Sequence, residues 1–376
     1  MIEPGVGFIR VNKFAATTYK EFLNSITSLK SKGAKKFIID LRENSGGLMD
    51  QAINMVNEFL PEGRMIVYSK GKAYPRSEAK SDGSGSCINT PVVVLIDEFS
   101  ASASEIFSGA IQDNDRGLII GRRSFGKGLV QRQFPLIDGS VMRLTTARYY
   151  TPTGRCIQKP YKDGKDEYEL DLINRYNKGE LLHADSIHFP DSLHYQTLSL
   201  KRTVYGGGGI MPDIFVPLDT TRYTDFHRKL VAFGIINKVC VQYVDKNRAE
   251  LKKKYPTFEK FKKEFEPDDA FLNALITAAE KEKEKEKVST TKLPKDSTTT
   301  QVAPTKEDKE TIERENVEKK EFEKSKPLIK LQLKALIASS LWETNEYYQI
   351  MDADNESLLK AIEILQTPGA FEKILK

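Results

Sequence analysis

The sequence predicts an α/β fold, a largely parallel sheet covered by helices on its faces, followed by a mainly helical C-terminal region. Three observations lead there. Short β-branched runs recur between residues 5 and 150: Phe37-Ile38-Ile39-Asp40-Leu41, Met65-Ile66-Val67-Tyr68, Val92-Val93-Val94-Leu95-Ile96 and Leu118-Ile119-Ile120. Helix-like stretches at about 44–60 and 102–114 separate them, and near-continuous apolar strands joined by helices are the mark of parallel sheets buried on both sides. After about 222 the sequence turns Lys/Glu-rich with helical periodicity.

In chain order, Val6–Val11 reads as a strand already under way, which predicts a piece of a longer protein. Phe22, Leu23, Ile26 and Leu29 follow at helical spacing, and Lys32-Gly33 supplies the stop. Residues 129–150 read as a hairpin around Asp138-Gly139. Residues 160–200 are polar and Asp/Tyr/His-rich, an insertion expected to have weak internal structure, and Gly206–Asp213 ends it. The domain expectation is therefore an α/β core over 1–220, a helical region over 221–287, a flexible Ser/Thr/Pro/Lys linker over 288–308, and a C-terminal helical region over 309–376. A final helix pair is expected at Leu328–Leu341 and around Leu358, Ala361, Ile362 and Leu365.

Composition excludes several classes. The 376 residues carry 58 Lys and Arg against 53 Asp and Glu, and the net +5 forms no concentrated basic face, so no nucleic-acid partner is expected. Cys87, Cys156 and Cys240 are an odd number without metal-type spacing; neither a disulfide framework nor a metal or other cofactor is expected. No stretch has the length of a transmembrane helix.

The densest chemistry lies in Ser100-Ala101-Ser102-Ala103-Ser104-Glu105, between a buried strand and an apolar helix. A serine at such a turn sits beside free backbone N–H groups at the positive end of the helix dipole, where an acyl oxyanion would be stabilised. Ser102-x-x-Glu105 is also a capping box, and on the hexapeptide alone the cap is the commoner meaning. A serine nucleophile needs a base. His183, His188, His194 and His227 lie in no recognisable motif, and there is no G-x-S-x-G elbow. The other candidate is Lys127 in Ser124-Phe125-Gly126-Lys127-Gly128; a lysine serves as base only when its surroundings disfavour the ammonium, and a lone exposed turn lysine would not. Asp40–Leu48 (D-L-R-E-N-S-G-G-L) adds a glycine turn able to offer N–H groups to an oxyanion; alone it is an ordinary strand-helix turn.

Taken together and in this order, Asp40–Leu48, Ser100–Asp113 and Gly121–Gln131 resemble the motifs of the carboxyl-terminal processing peptidases of serine peptidase family S41. The resemblance extends through Tyr150–Arg155 and Gly208–Asp213 and covers residues 5–220. It implies a crotonase-like (ClpP/crotonase) α/β core and a serine endopeptidase cleaving near the C-termini of proteins by a Ser-Lys dyad. Ser102 would be the nucleophile, Lys127 the base 25 residues on, and Gln131 the glutamine that positions the dyad in several members. The N–H of Ala103 with that of Gly46 or Gly47 would form the oxyanion hole, the sequence leaving the choice of glycine open. Protein or peptide substrates, a periplasmic setting and a homo-oligomeric option follow from the same resemblance. Members carry an export signal and a PDZ domain ahead of this core; neither is recognised in this chain. Two rivals are a non-catalytic peptide-binding scaffold on the same fold and a crotonase-type acyl-CoA enzyme, for which no CoA motif is present.

Overall fold

A computed structural model describes the backbone of residues 1–161, 164–290 and 306–376, with side chains described outside 283–316. Its chain divides into two compact units, Met1–Leu218 with Glu356–Lys376, and Asp219–Asn355.

In the first unit, Val6–Arg10 (β1), Thr18–Ser31 (α1), Lys36–Asp40 (β2), Met49–Asn57 (α2), Met65–Lys70 (β3), Ser77–Lys80 (β4), Val92–Ile96 (β5), Ala103–Asp113 (α3) and Leu118–Gly121 (β6) follow one another. Leu129–Pro135 (β7), Val141–Tyr150 (β8), Lys165–Asn177 (α4), His194–Gln196 (β9), Thr203–Tyr205 (β10) and Ile214–Phe215 (β11) complete its first pass. The main sheet runs β1-β2-β5-β6-β11 with every pairing parallel. A second, antiparallel sheet runs β4-β3-β8-β7, and β9 and β10 form a small ribbon.

The period-2 alternation of strands explains the double apolar coat of the main sheet. Phe37, Ile39, Val92, Val94, Ile96 and Ile119 point to the face covered by α1, α2 and α3, with Phe22, Ile26, Met55, Ile106, Phe107 and Ile111 packed there. Their neighbours Ile38, Val93, Leu95, Leu118 and Ile120 point to the opposite face. What covers that second face is the end of the chain: Glu356–Gln366 and Ala370–Leu375, the last two helices, place Leu358, Ala361, Ile364, Leu365 and Phe371 against it. Lys36 Nζ also donates to Leu365 O. This corrects the expectation of a single C-terminal region over 309–376. The break falls at 355/356, because a sheet apolar on both sides needs a second helical layer.

The second unit is helical, with Asp225–Ala232 (α5), Ile235–Lys254 (α6), Phe258–Glu264 (α7), Asp269–Thr290 (α8), Lys306–Leu341 (α9) and Thr344–Met351 (α10); the two covering helices above are α11 and α12. Leu230, Val239, Val244, Phe261, Leu275, Ile329, Leu333, Ile337 and Ile350 share one core. The regions expected separately at 221–287 and from 309 onward therefore pack together up to 355, and the expected pair at 328–341 and 358–366 is split between units. The expected linker at 288–308 lies outside the described residues over 291–305, and α8 and α9 run into its two ends.

Candidate active site

The turn between β5 and α3 distinguishes three serines that look alike in sequence. Ser100 Oγ donates to Leu41 O at 2.8 Å, and Ser104 Oγ donates to Asn44 O at 2.8 Å; both residues are fully buried. These two hydroxyls lock the turn onto the D-L-R-E-N-S-G-G-L segment. Ser102 is only partly buried, and its Oγ makes no hydrogen bond among the described residues. It has φ 56° and ψ −112°, a conformation that costs a non-glycine residue about 1–3 kcal/mol and persists only where neighbours enforce it.

The enforcing neighbours are visible. Ser102 and Glu105 form the capping-box arrangement, but only half of it reaches hydrogen-bond geometry: Glu105 Oε2 accepts the Ser102 N–H at 2.8 Å. Ser102 O accepts from the N–H groups of Glu105 at 2.9 Å and Ile106 at 3.0 Å. The serine is thus held by its backbone with its side chain left over, the reverse of a purely capping serine.

Lys127 lies in the loop between β6 and β7, partly buried. Its N–H donates to Glu105 Oε2 at 2.9 Å, the same oxygen that holds Ser102. Glu105 Oε1 accepts from Gly126 N–H at 2.7 Å and Ser124 Oγ at 2.5 Å. Burial pushes the Glu105 carboxyl above its ordinary range, and these hydrogen bonds, led by that of Ser124, oppose the rise. Tyr149, on β8, closes the other side: its hydroxyl stands 2.7 Å from Lys127 O and 3.0 Å from Ser102 O. The segments of Ser102 and Lys127 are therefore joined through backbone groups, while their side chains make no direct hydrogen bond among the described residues.

The glycine turn packs onto the same spot. Gly46 has φ +97°, and a Cβ there would stand 2.7 Å from Ser102 Cβ and 2.9 Å from Ala103 N. Its N–H, however, donates to Asn44 Oδ1 at 2.8 Å and is spent. Gly47 forms a parallel bridge with Phe14 through its flanking peptides, Phe14 N–H to Gly46 O and Leu48 N–H to Phe14 O. The N–H groups of Gly47 and Ala103 donate to no acceptor among the described residues. Of the two glycines left open by the sequence, Gly47 is the one with a donor to offer.

Gln131 sits on β7 just past a register shift, paired with Thr145. Its side chain is exposed and makes no hydrogen bond to Ser102 or Lys127 among the described residues. Farther motif residues brace the site. Asp40 is clamped by Arg42 at 2.8 and 2.7 Å and by Arg10 at 2.9 Å; burial alone would raise its carboxyl, but the two guanidiniums bring it below the ordinary range. Asp97 receives the N–H groups of Glu43 at 3.0 Å, Phe99 at 3.0 Å and Ser100 at 3.1 Å, yet burial and then Glu98 push it up to about 6. Arg155 and Asp113, both fully buried, pair at 2.7 Å and tie Tyr150–Arg155 to the end of α3. Ser124 exchanges bonds with Ile210, which seats Gly208–Asp213 on the Lys127 loop.

Sequence reasoning saw Glu105 only as a capping partner and missed Tyr149 and Arg175. The insertion expected to be weakly structured carries α4, whose buried Arg175 donates to Ser124 O at 3.1 Å and Arg123 O at 2.7 Å. Arginine in a Tyr/Asp/Glu-rich helix gave no signal of that contact.

In comparison with known proteins, residues 5–164 match Peptidase family S41. That segment is a peptidase S41 domain. The carboxyl-terminal-processing protease of a Synechocystis species is 40% identical over 154 residues, covering 41% of this chain and 36% of that protein. The carboxy-terminal processing protease CtpA of Bacillus subtilis is 38% identical over 185 residues, 49% of this chain and 39% of that protein. The chain thus spans well under half the length of these curated relatives. A solved structure titled photosystem II D1 C-terminal processing protease is 36% identical over 41% of this chain and 39% of that chain, with a TM-score of 0.38. Beyond the S41 domain, residues 226–343 match a family of unknown function, DUF8443.

Proposed function

We propose that the S41 domain is a serine endopeptidase that cleaves proteins near their C-termini through an acyl-enzyme, with Ser102 as nucleophile and Lys127 as base, on a sheet of the crotonase-like kind. One observation carries the reading. Of the three serines in the run, Ser102 alone has a hydroxyl not consumed by the fold among the described residues, held on a strained turn next to the free N–H of Ala103 and packed against the Gly46 turn.

In this scheme Ser102 Oγ attacks the scissile carbonyl carbon while Lys127, unprotonated, takes the hydroxyl proton. The oxyanion of the tetrahedral intermediate is held by the Gly47 and Ala103 N–H groups, the latter at the positive end of α3. Collapse expels the amine, which receives the proton from Lys127, and a water deprotonated by Lys127 then hydrolyses the ester. Catalytic hydrogen bonds tighten in the substrate complex, so the free dyad side chains need not be bonded beforehand. Gln131 contributes no step to this scheme.

The names of the relatives support C-terminal processing, and the same resemblance carries the proposal of a periplasmic setting, which cell fractionation tests. For the reaction, the test is digestion of an unfolded protein with product mapping by mass spectrometry. Wild type should cut near the C-terminus, and Ser102→Ala and Lys127→Ala should not cut; turnover by folded Ser102→Ala would end the assignment.

A further inference from the structure

We infer that Tyr149 is a positioning residue for the Ser102 and Lys127 pair, its hydroxyl fixing the turn of the nucleophile against the loop of the base from the carbonyl side. This rests on the dyad reading above and extends it to a side chain outside the motifs that carried it.

The observation is a two-sided grip on the backbones of two residues 25 positions apart. On the N–H side, Glu105 Oε2 holds Ser102 and Lys127 at 2.8 and 2.9 Å. On the C=O side, the Tyr149 hydroxyl meets Lys127 O at 2.7 Å and Ser102 O at 3.0 Å. Both gripping side chains are at most 1% exposed. Two carbonyl oxygens converging on one point repel unless a proton lies between them, and the phenol supplies one. The proton belongs mainly to Lys127, because Ser102 O already accepts from Glu105 and Ile106, whereas Lys127 O has no other donor among the described residues.

The anchor of this hydroxyl is rigid. Tyr149 N–H donates to Gly128 O at 3.0 Å, one residue beyond the lysine, and the ring lies in the core that includes Phe107 and Ile157. Burial, and then the nearby Glu105, hold the phenol well above its ordinary range, so it stays a donor wherever the enzyme can be assayed. Core packing alone asks for the ring and not the oxygen. A buried hydroxyl costs free energy unless it is bonded, and here its partners are the backbone of the two reacting residues.

The alternative is a tyrosine that only stabilises the fold, and Tyr149→Phe separates the two because it removes one oxygen and keeps the ring. Turnover of an unfolded protein or peptide and the rate of fluorophosphonate labelling are measured beside wild type and Ser102→Ala, at a temperature where circular dichroism shows Tyr149→Phe folded. The expected result is a roughly 10- to 100-fold fall in kcat and in labelling rate, with KM within about twofold, since misplacement of reacting groups by a fraction of an ångström affects chemistry and not binding. Wild-type kcat and labelling in Tyr149→Phe, with Ser102→Ala inert, would overturn this inference alone. So would a loss that appears only in KM, or a variant folded at no temperature, which would make the hydroxyl a requirement of the fold. Labelling and turnover by Ser102→Ala at the wild-type rate would overturn the dyad reading, and the inference with it.

Discussion

Ser102 and Lys127, 25 residues apart, donate their backbone N–H groups to the same oxygen, Glu105 Oε2, at 2.8 and 2.9 Å. With Gly126 N–H and Ser124 Oγ on Oε1, this buried carboxylate accepts four donors and pairs with no cation among the described residues. Glu105→Gln turns one oxygen into an NH2 group facing N–H or O–H donors, and a buried donor left unmatched costs about 1–3 kcal/mol. The variant should lose about 2–4 kcal/mol in urea denaturation and more than about tenfold in turnover. Wild-type stability would show that the carboxyl is held protonated and accepts fewer bonds than its geometry implies.

Asp97 gives a pH dependence with a definite sign. Its carboxyl moves from 3.8 to about 6 on folding, so between those values the folded state binds more protons than the unfolded one. Stability contributed by this group is therefore fully present below about pH 4 and lost as pH rises through about 6, an effect of about 3 kcal/mol. Thermal melts of wild type and Asp97→Asn from pH 4 to 7 should show wild type gaining relative to the variant as pH falls. A difference independent of pH would remove burial as the dominant influence on Asp97.

The return of the chain end to the first unit is tested at Leu365, which is 1% exposed against the second face of the main sheet. Leu365→Ala should destabilise the first unit by about 2–5 kcal/mol, the usual loss for a buried leucine. Urea unfolding followed by a signal from the first unit measures it. A change below about 0.5 kcal/mol, ordinary for a surface position, would mean that α11 does not cover the sheet.

Much of this was legible in the sequence because it is local. The apolar runs at 37–41, 65–68, 92–96 and 118–120 fall within two residues of β2, β3, β5 and β6, and the hairpin turns at Asp138-Gly139. Ser102 and Lys127 stood out as motif residues, and the structure brings their backbones onto one carboxylate. What stayed hidden is long-range. Glu105 advertises a capping box three residues back, but its bonds to Gly126 and Lys127 join segments more than 20 residues away. Tyr149 stands in an ordinary Arg-Tyr-Tyr strand end, one residue before the last of β8, and only the sheet brings its hydroxyl to Lys127 O. The amphipathic stripe of α11 announced that it packs, yet not on what; strands apolar on both faces were the clue that a second layer was needed.

The central claim is that Ser102 is a nucleophile activated by Lys127. Its most direct measurement is mass-spectrometric mapping of a fluorophosphonate adduct on the folded protein, with the labelling rate compared among wild type, Ser102→Ala and Lys127→Ala. The account predicts one adduct on Ser102, none in Ser102→Ala, and labelling of Lys127→Ala slowed by roughly 100-fold or more, the contribution of a positioned general base. An adduct on Ser100 or Ser104, or wild-type labelling of Lys127→Ala, would contradict it.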